Sequence, residues 1–382
     1  MSVALARELA AALHGLEGQR RLRTCPELAG PSRVAASLRG ASVVSFCSND
    51  YLGLASHPAV REAAAESARR SGFGAGASRL VAGDLPEHRA LENALADLVA
   101  LPAALLFPSG YQANLGVITA LAAPEDLIAS DAANHASIVD GCRLSRARIA
   151  VYAHADGAAA ARALATPGVF RRRLIVTESL FSMDGDIAPL AALAALAHQH
   201  DASLIVDEAH ALGVMGPCGR GLCAAAAVTP AALVGTLGKA FGAAGGFVAG
   251  GPELRAWLVN RARTFLFTTA PPPPVAAAAA AAVEIARGSD GDVRRTRLQQ
   301  HGARLRAATA VSGTGPIWPV IIGADAAALA ASAFLSARGL FVQAIRPPTV
   351  PEGTARLRVT LSAEHTSAQV DALARALPEA LA

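Results

Sequence analysis

The 382-residue chain predicts an α/β fold: a large domain built on a mixed, mostly parallel sheet, followed by a smaller α+β domain at the C-terminus. Three observations predict it. Short runs rich in Val, Ile and Leu recur at 174–177, 203–206, 233–236 and 247–249, without the polar alternation of a half-exposed strand. Helix-forming stretches such as 190–200 separate them, and the runs end in polar residues. Strands covered on both faces read in this way, and their ligands bind beyond the carboxyl ends of the strands.

Taken in order, residues 1–22 read as an amphipathic helix with arginines at its end, and Pro26, Gly30 and Pro31 break the connection that follows. A strand is expected at 43–46, then the loop Ser48-Asn49-Asp50-Tyr51-Leu52-Gly53-Leu54. From about 58 helices and strands alternate. The proline run 271–274 and an alanine-rich helix to 286 lead into a region with strand candidates at 318–322, 341–344 and 357–361. The expected division is therefore an N-terminal helix and connector (1–45), a large domain (46–286) and a small C-terminal domain (287–382).

Composition narrows the function. A chain 53% hydrophobic with a net charge of +4 is not a disordered one. The basic runs at 20–23 and 171–173 carry no interleaved aromatics, so no nucleic-acid partner is expected. The longest apolar run, 275–283, is too short to cross a bilayer, and no membrane association is expected. Cysteines 25, 47, 142, 218 and 223 form no C-x-x-C pair and are odd in number, which argues against a metal site or a disulfide framework. Reduced thiols in a cytoplasm are the expectation, in keeping with an N-terminus that lacks the pattern of a signal peptide.

Of the 34 basic residues, 33 are arginine, and Lys239 is the single lysine. A GC-rich genome explains the bias. It does not explain the survivor, which follows the strand 233–236 in the apolar stretch Leu237-Gly238-Lys239-Ala240-Phe241-Gly242. Arginine cannot replace lysine where the group must lose its proton, and a Schiff-base lysine is the obvious such role. Two other strand ends bear on it. Ser109-Gly110-Tyr111 opens a helix whose free N–H groups suit a phosphate, although alone it reads as a plain N-cap. Asp207-Glu208-Ala209-His210 offers an acid and a histidine to one pocket, although such pairs are often structural. Together a phosphate site, a carboxylate for a ring nitrogen and a lysine for an aldehyde suit pyridoxal 5'-phosphate. The glycines at 72, 74 and 76 follow a helix and miss the G-x-G-x-x-G spacing, so a dinucleotide is set aside.

These residues resemble the α-oxoamine synthases, fold-type I pyridoxal-phosphate enzymes of the aspartate aminotransferase architecture. The likeness runs from about 40 to 370, through Ser48–Leu54, Gly74–Gly83, Thr177-Glu-Ser-Leu-Phe-Ser-Met-Asp-Gly185, Asp207–His210, Thr236–Lys239 and Arg346-Pro-Pro-Thr-Val-Pro351. It implies that Lys239 binds the cofactor and then acts as base at the substrate α-carbon, and that Asp207 pairs with the ring nitrogen. It implies His135 stacked on the ring, where a capped loop histidine is the alternative, and His210 hydrogen-bonded to the ring hydroxyl. Gly110, Tyr111, Ser182 and Thr236 would complete the cofactor site. Thr269 would reach the phosphate from a second subunit, which implies a homodimer with its active site at the interface.

Asn49 and Arg358 would meet the amino-acid carboxylate, Thr349 the acyl substrate, and an N-terminal arginine the acyl site, here Arg20 with Arg21 as the close alternative. Family members use glycine, serine or alanine with different acyl thioesters. The segment 344–358 is most similar to the branch that joins L-alanine to a pimeloyl thioester, on CoA or an acyl carrier protein. A glycine C-acetyltransferase-like activity and a non-catalytic scaffold are the rivals. Ala75, Ala77 and Phe267 depart from the family's usual residues, which leaves acyl specificity open.

Overall fold

A computed structural model describes residues 1–30 and 34–382. Pro31, one of the expected chain breakers, lies outside the described residues. Three N-terminal strands come first, β1 (Leu28–Ala29), β2 (Ala35–Leu38) and β3 (Ala41–Ser45). Seven form the central sheet: β4 (Ala103–Phe107), β5 (Leu127–Asp131), β6 (Arg148–Tyr152), β7 (Arg173–Glu178), β8 (Ala202–Asp207), β9 (Ala232–Thr236) and β10 (Gly246–Gly250). Four more follow the long helices Pro273–Arg287 and Ser289–Ala308, namely β11 (Ile317–Gly323), β12 (Leu340–Phe341), β13 (Ala344–Ile345) and β14 (Ala355–Thr360).

The central sheet runs β4-β10-β9-β8-β7-β5-β6. β5 to β9 are mutually parallel, while β10 runs antiparallel to both β4 and β9. Successive side chains of a strand point to opposite faces, and the apolar residues sort accordingly. Ile175, Val206 and Leu233 belong to a core packed by helices Pro86–Val99, Leu190–Gln199 and Pro273–Arg287. Leu174, Val176, Ile205 and Val234 belong to a second core, beneath helices Gly110–Leu121 and Ala136–Ser145. Covering both faces is what makes apolar runs, not alternating ones, the right composition for these strands.

Three expectations change. The strand expected at 341–344 is two strands in different sheets: β12 lies parallel to β3, and β13 lies antiparallel to β14. The chain leaves one sheet for the other at Val342–Gln343, where the Gln343 N–H donates to Sγ of Cys47, which in turn donates to the Phe341 carbonyl. The connector holds a short ladder, β1 on β2 on β3, that its composition did not announce. Finally, helix Val3–Gly18 has no buried residue, and Leu5, Leu9, Leu13 and Leu16 are exposed along it. The spacing of these leucines places them in one stripe.

A clasp ties two carboxyl-end loops together. His154 Nδ1 meets Asp131 at 2.8 Å and its Nε2 meets Asp186 at 2.7 Å, with the ring edge-on to Phe181. Burial lowers the His154 pKa, but the two carboxylates outweigh it and the net shift is upward. A raised folded value stabilises the fold fully below the unfolded value of about 6.5, and the contribution is lost as pH rises through the folded value. Wild type should therefore exceed His154→Asn in stability by about 1 kcal/mol at acid pH, less on the alkaline side, because the site is partly exposed. Urea melts from pH 5 to 9 check this, and a gap independent of pH would contradict it.

Candidate active site

The loops at the carboxyl ends of β4, β5, β7, β8 and β9 converge. After β4, Ser109 caps helix Gly110–Leu121, its hydroxyl accepting from the Gln112 N–H at 3.1 Å. The amides of Gly110 and Tyr111, first in the helix, have no carbonyl one turn back and face outward as donors for an anion. Backbones crowd here: a Cβ on Gly246 would sit 2.4 Å from the Gly110 nitrogen, and one on Gly110 would meet Thr236 at 3.2 Å. Glycine at both positions therefore keeps the helix end against the β9 loop that carries Thr236 and Lys239. Thr236 Oγ1 donates to the Gly245 carbonyl and accepts from the Gly238 N–H, which braces that loop.

Asp207 ends β8 and is buried. Its Oδ1 accepts from the Ala209 N–H at 2.8 Å and its Oδ2 from Asn114 Nδ2 at 2.7 Å. Asn114 also donates to Ser137 Oγ, joining the two helices over this face of the sheet. Glu178 lies directly across from Asp207 in register, so the two side chains share a face. Its Oε1 is buried without a hydrogen-bond partner. Burial, and then the Asp207 charge, push the Glu178 carboxyl up to about 8.

Lys239 is half-buried by area, with Asp207, Glu178 and Arg358 as its electrostatic neighbours. Desolvation lowers its pKa more than the two carboxyls raise it, and Arg358 adds to the lowering. A neutral amine is accordingly available at a lower pH than on a solvated lysine. His135 caps helix Ala136–Ser145, Nδ1 accepting from the Ser137 N–H at 3.2 Å, and its ring is otherwise exposed and edge-on to Tyr111. Capping and ring stacking are therefore compatible roles of one side chain. Desolvation by the surrounding protein lowers the pKa of His135 although its ring stays partly in solvent, and that of the buried His210 falls well below the ordinary value, with Lys239 and Arg358 adding to the effect. Both histidines are neutral at neutral pH.

On the other side, Arg358 projects from β14, its Nε donating to the Ser182 carbonyl at 2.5 Å and its guanidinium to Asn49 Oδ1 at 3.2 Å. Arg20 and Thr349 are both tied to Arg346, the one through its carbonyl and the other through its N–H. Arg346 donates to the Arg20 carbonyl, and Arg23 donates to the Pro347 carbonyl at 2.9 Å, closing the N-terminal segment onto the 346–349 loop. Arg21 is engaged with Glu352 at 2.6 Å and Asp325 at 3.4 Å. Thr269 is exposed beside Phe267. Sequence reading passed over Asn114, Glu178 and Tyr51. Asn114 lies one helical turn beyond Gly110, a spacing that was available as a signal; Glu178 needed the strand register.

This donor set fits pyridoxal phosphate: amides at a helix end for the phosphate, a hydrogen-bonded carboxylate for a ring nitrogen, and a neutral amine. The chain belongs to the aminotransferase class I and II family, whose model matches residues 41–377. It is an enzyme and its cofactor is pyridoxal phosphate. Among its relatives, the 8-amino-7-oxononanoate synthase of Anaeromyxobacter sp. (strain Fw109-5) is 54% identical over 378 residues, covering 97% of this chain and 94% of the relative. The enzyme of that name from Bordetella petrii is 49% identical, covering 97% and 96%. A serine palmitoyltransferase from S. paucimobilis, solved with a bound PLP-myriocin aldimine, superposes with a TM-score of 0.91 at 31% identity, covering 100% and 98%. An 8-amino-7-oxononanoate synthase from Francisella tularensis superposes at 0.75 with 28% identity, covering 88% and 97%.

Proposed function

We propose that this chain condenses L-alanine with a pimeloyl thioester to give 8-amino-7-oxononanoate, CO2 and free thiol, a step of biotin biosynthesis. The observation that carries the chemistry is the placement of the chain's one lysine, half-buried among Asp207, Glu178 and Arg358, where desolvation favours a neutral amine. The relatives at about half identity over nearly the whole chain carry the choice of substrates.

When bound, pyridoxal phosphate withdraws electrons from the substrate α-carbon. Lys239 would hold the cofactor, and its Nζ would accept the α-proton of alanine. Asp207, held by hydrogen bonds from Ala209 and Asn114, would pair with the ring nitrogen. His135 would lie against the ring face and His210 would meet the ring oxygen. Gly110, Tyr111 and Thr236 would bind the phosphate, with Ser182 nearby. Arg358 and Asn49 orient the alanine carboxylate. The deprotonated α-carbon would then bond to the acyl carbonyl carbon as the C–S bond breaks and the thiolate leaves to take a proton from solvent, and loss of the carboxylate as CO2 would be followed by return of the proton from Lys239. Arg20 and Thr349 serve the acyl substrate: Arg21 is already paired with Glu352 and Asp325, whereas the Arg20 side chain is exposed.

The enzyme works as a cytoplasmic homodimer in which Thr269 completes the partner's phosphate site. Exposed Phe73, Leu80, Val81 and Phe267 on the loops around it, and the leucine stripe of helix Val3–Gly18, support this reading as surfaces suited to a second copy. Among the described residues no helix is long and apolar enough to cross a membrane.

A matrix of alanine, serine and glycine against pimeloyl, palmitoyl and acetyl thioesters, on CoA and on carrier protein, tests the proposal by thiol release. Alanine with pimeloyl thioester should exceed every other pair by about tenfold or more, as expected when a site pairs a substrate group that competitors lack. Faster turnover of glycine with acetyl-CoA would overturn it.

A further inference from the structure

The loop after β3 carries a fully buried tyrosine that none of the roles above uses. The Tyr51 hydroxyl lies 2.7 Å from His210 Nδ1 and 3.0 Å from Asn49 Oδ1. Asn49 Oδ1 also accepts from Arg358 at 3.2 Å, and Arg358 is anchored on the Ser182 carbonyl. One continuous chain of hydrogen bonds thus joins Ser182, Arg358, Asn49, Tyr51 and His210, drawn from four separate segments.

The proton count along this chain is restrictive. A phenol has one proton to donate, and a neutral imidazole has one bare nitrogen. If Tyr51 donates to Nδ1, the His210 proton sits on Nε2; if Tyr51 donates to Asn49, the proton sits on Nδ1 and Nε2 is bare. The contact with His210 is the shorter, and the Asn49 oxygen already has a charged donor in Arg358. Both facts favour the first arrangement.

We infer that Tyr51 is a positioning residue: by donating to Nδ1 it fixes His210 in the tautomer with its proton on Nε2, and through Asn49 it links that tautomer to Arg358. The inference rests on the proposed reading in which His210 Nε2 faces the cofactor's ring oxygen, where an N–H donor stabilises an oxyanion and a bare nitrogen would repel it. Burial keeps the ring neutral, so that a single tautomer is meaningful. The phenol is also held protonated, its pKa raised chiefly by burial.

The test is nitrogen NMR on holoenzyme labelled with 15N-histidine, with the His210 signals assigned by their loss in His210→Gln. Wild type should show Nδ1 as the bare nitrogen and Nε2 as the protonated one. Tyr51→Phe should give mixed tautomers, move the pH midpoint of the cofactor's visible band by about one unit, and lower kcat about tenfold with KM for the acyl thioester unchanged. Asn49→Ala should keep the wild-type tautomer, since Tyr51 then has His210 as its acceptor. Protonated Nδ1 in wild type overturns the inference even if Tyr51→Phe does not fold. An unchanged tautomer and band in a folded Tyr51→Phe overturn it as well. A holoenzyme preparation with no visible band would instead count against the cofactor reading, and the His210 tautomer would still be read.

Discussion

Lys239→Arg should fold and keep its positive charge, yet lose turnover by about 10³-fold or more, roughly 4 kcal/mol of transition-state stabilisation. The reason is protonation, not charge. Desolvation depresses the pKa of the lysine against the pull of Asp207 and Glu178, so its amine gives up its proton more readily than a solvated lysine does. A guanidinium in the same place stays protonated throughout the working range. Lys239→Ala should lose as much, and added methylamine should restore part of the rate to Ala but none to Arg, whose side chain fills the space. Steady-state kinetics with the alanine and pimeloyl pair measure this. Turnover by Lys239→Arg within about tenfold of wild type would remove the proton-transfer role.

Asp207→Asn should lower kcat by about 10²- to 10³-fold, the range seen when one preorganised electrostatic partner is lost. Asparagine keeps the size of the side chain and an oxygen for the Ala209 N–H, and Asn114, whose amide oxygen has no partner, can turn it to accept from the new N–H2, so the loss is of charge and not of fold. Two signatures separate this from a general disturbance. Asp207 raises the pKa of Lys239 and also that of Glu178, so removing its charge should lower both. The acid limb of the pH–rate profile should accordingly move to lower pH while its plateau falls. A lowered plateau with an unmoved limb would mean that Asp207 acts through packing alone, and an unchanged plateau would remove its role.

The reading of the fold from sequence succeeded where burial dictates composition. β7, β8 and β9 are apolar because helices cover both of their faces, and that pattern is local to each strand. The same reasoning failed at 341–344, because β12 and β13 are two residues each and owe their places to β3 and β14, partners far away in the chain. For the site, Asp207, His210 and Lys239 were legible because they follow strand ends, where ligands collect in such sheets. Tyr51 and Glu178 did not. A buried phenol next to a histidine and a glutamate in register with an aspartate are facts of tertiary placement, invisible to spacing along the chain. The leucine stripe of helix Val3–Gly18 was readable as amphipathic, but its want of cover within one chain was not.

The central claim, that the one lysine of the chain holds pyridoxal phosphate, is tested most directly by reducing the purified holoenzyme with borohydride and mapping its peptides. The account predicts a single pyridoxyl-modified peptide, containing Lys239, with loss of the visible band. An adduct on any other peptide, or none on a protein that shows the band, would contradict it.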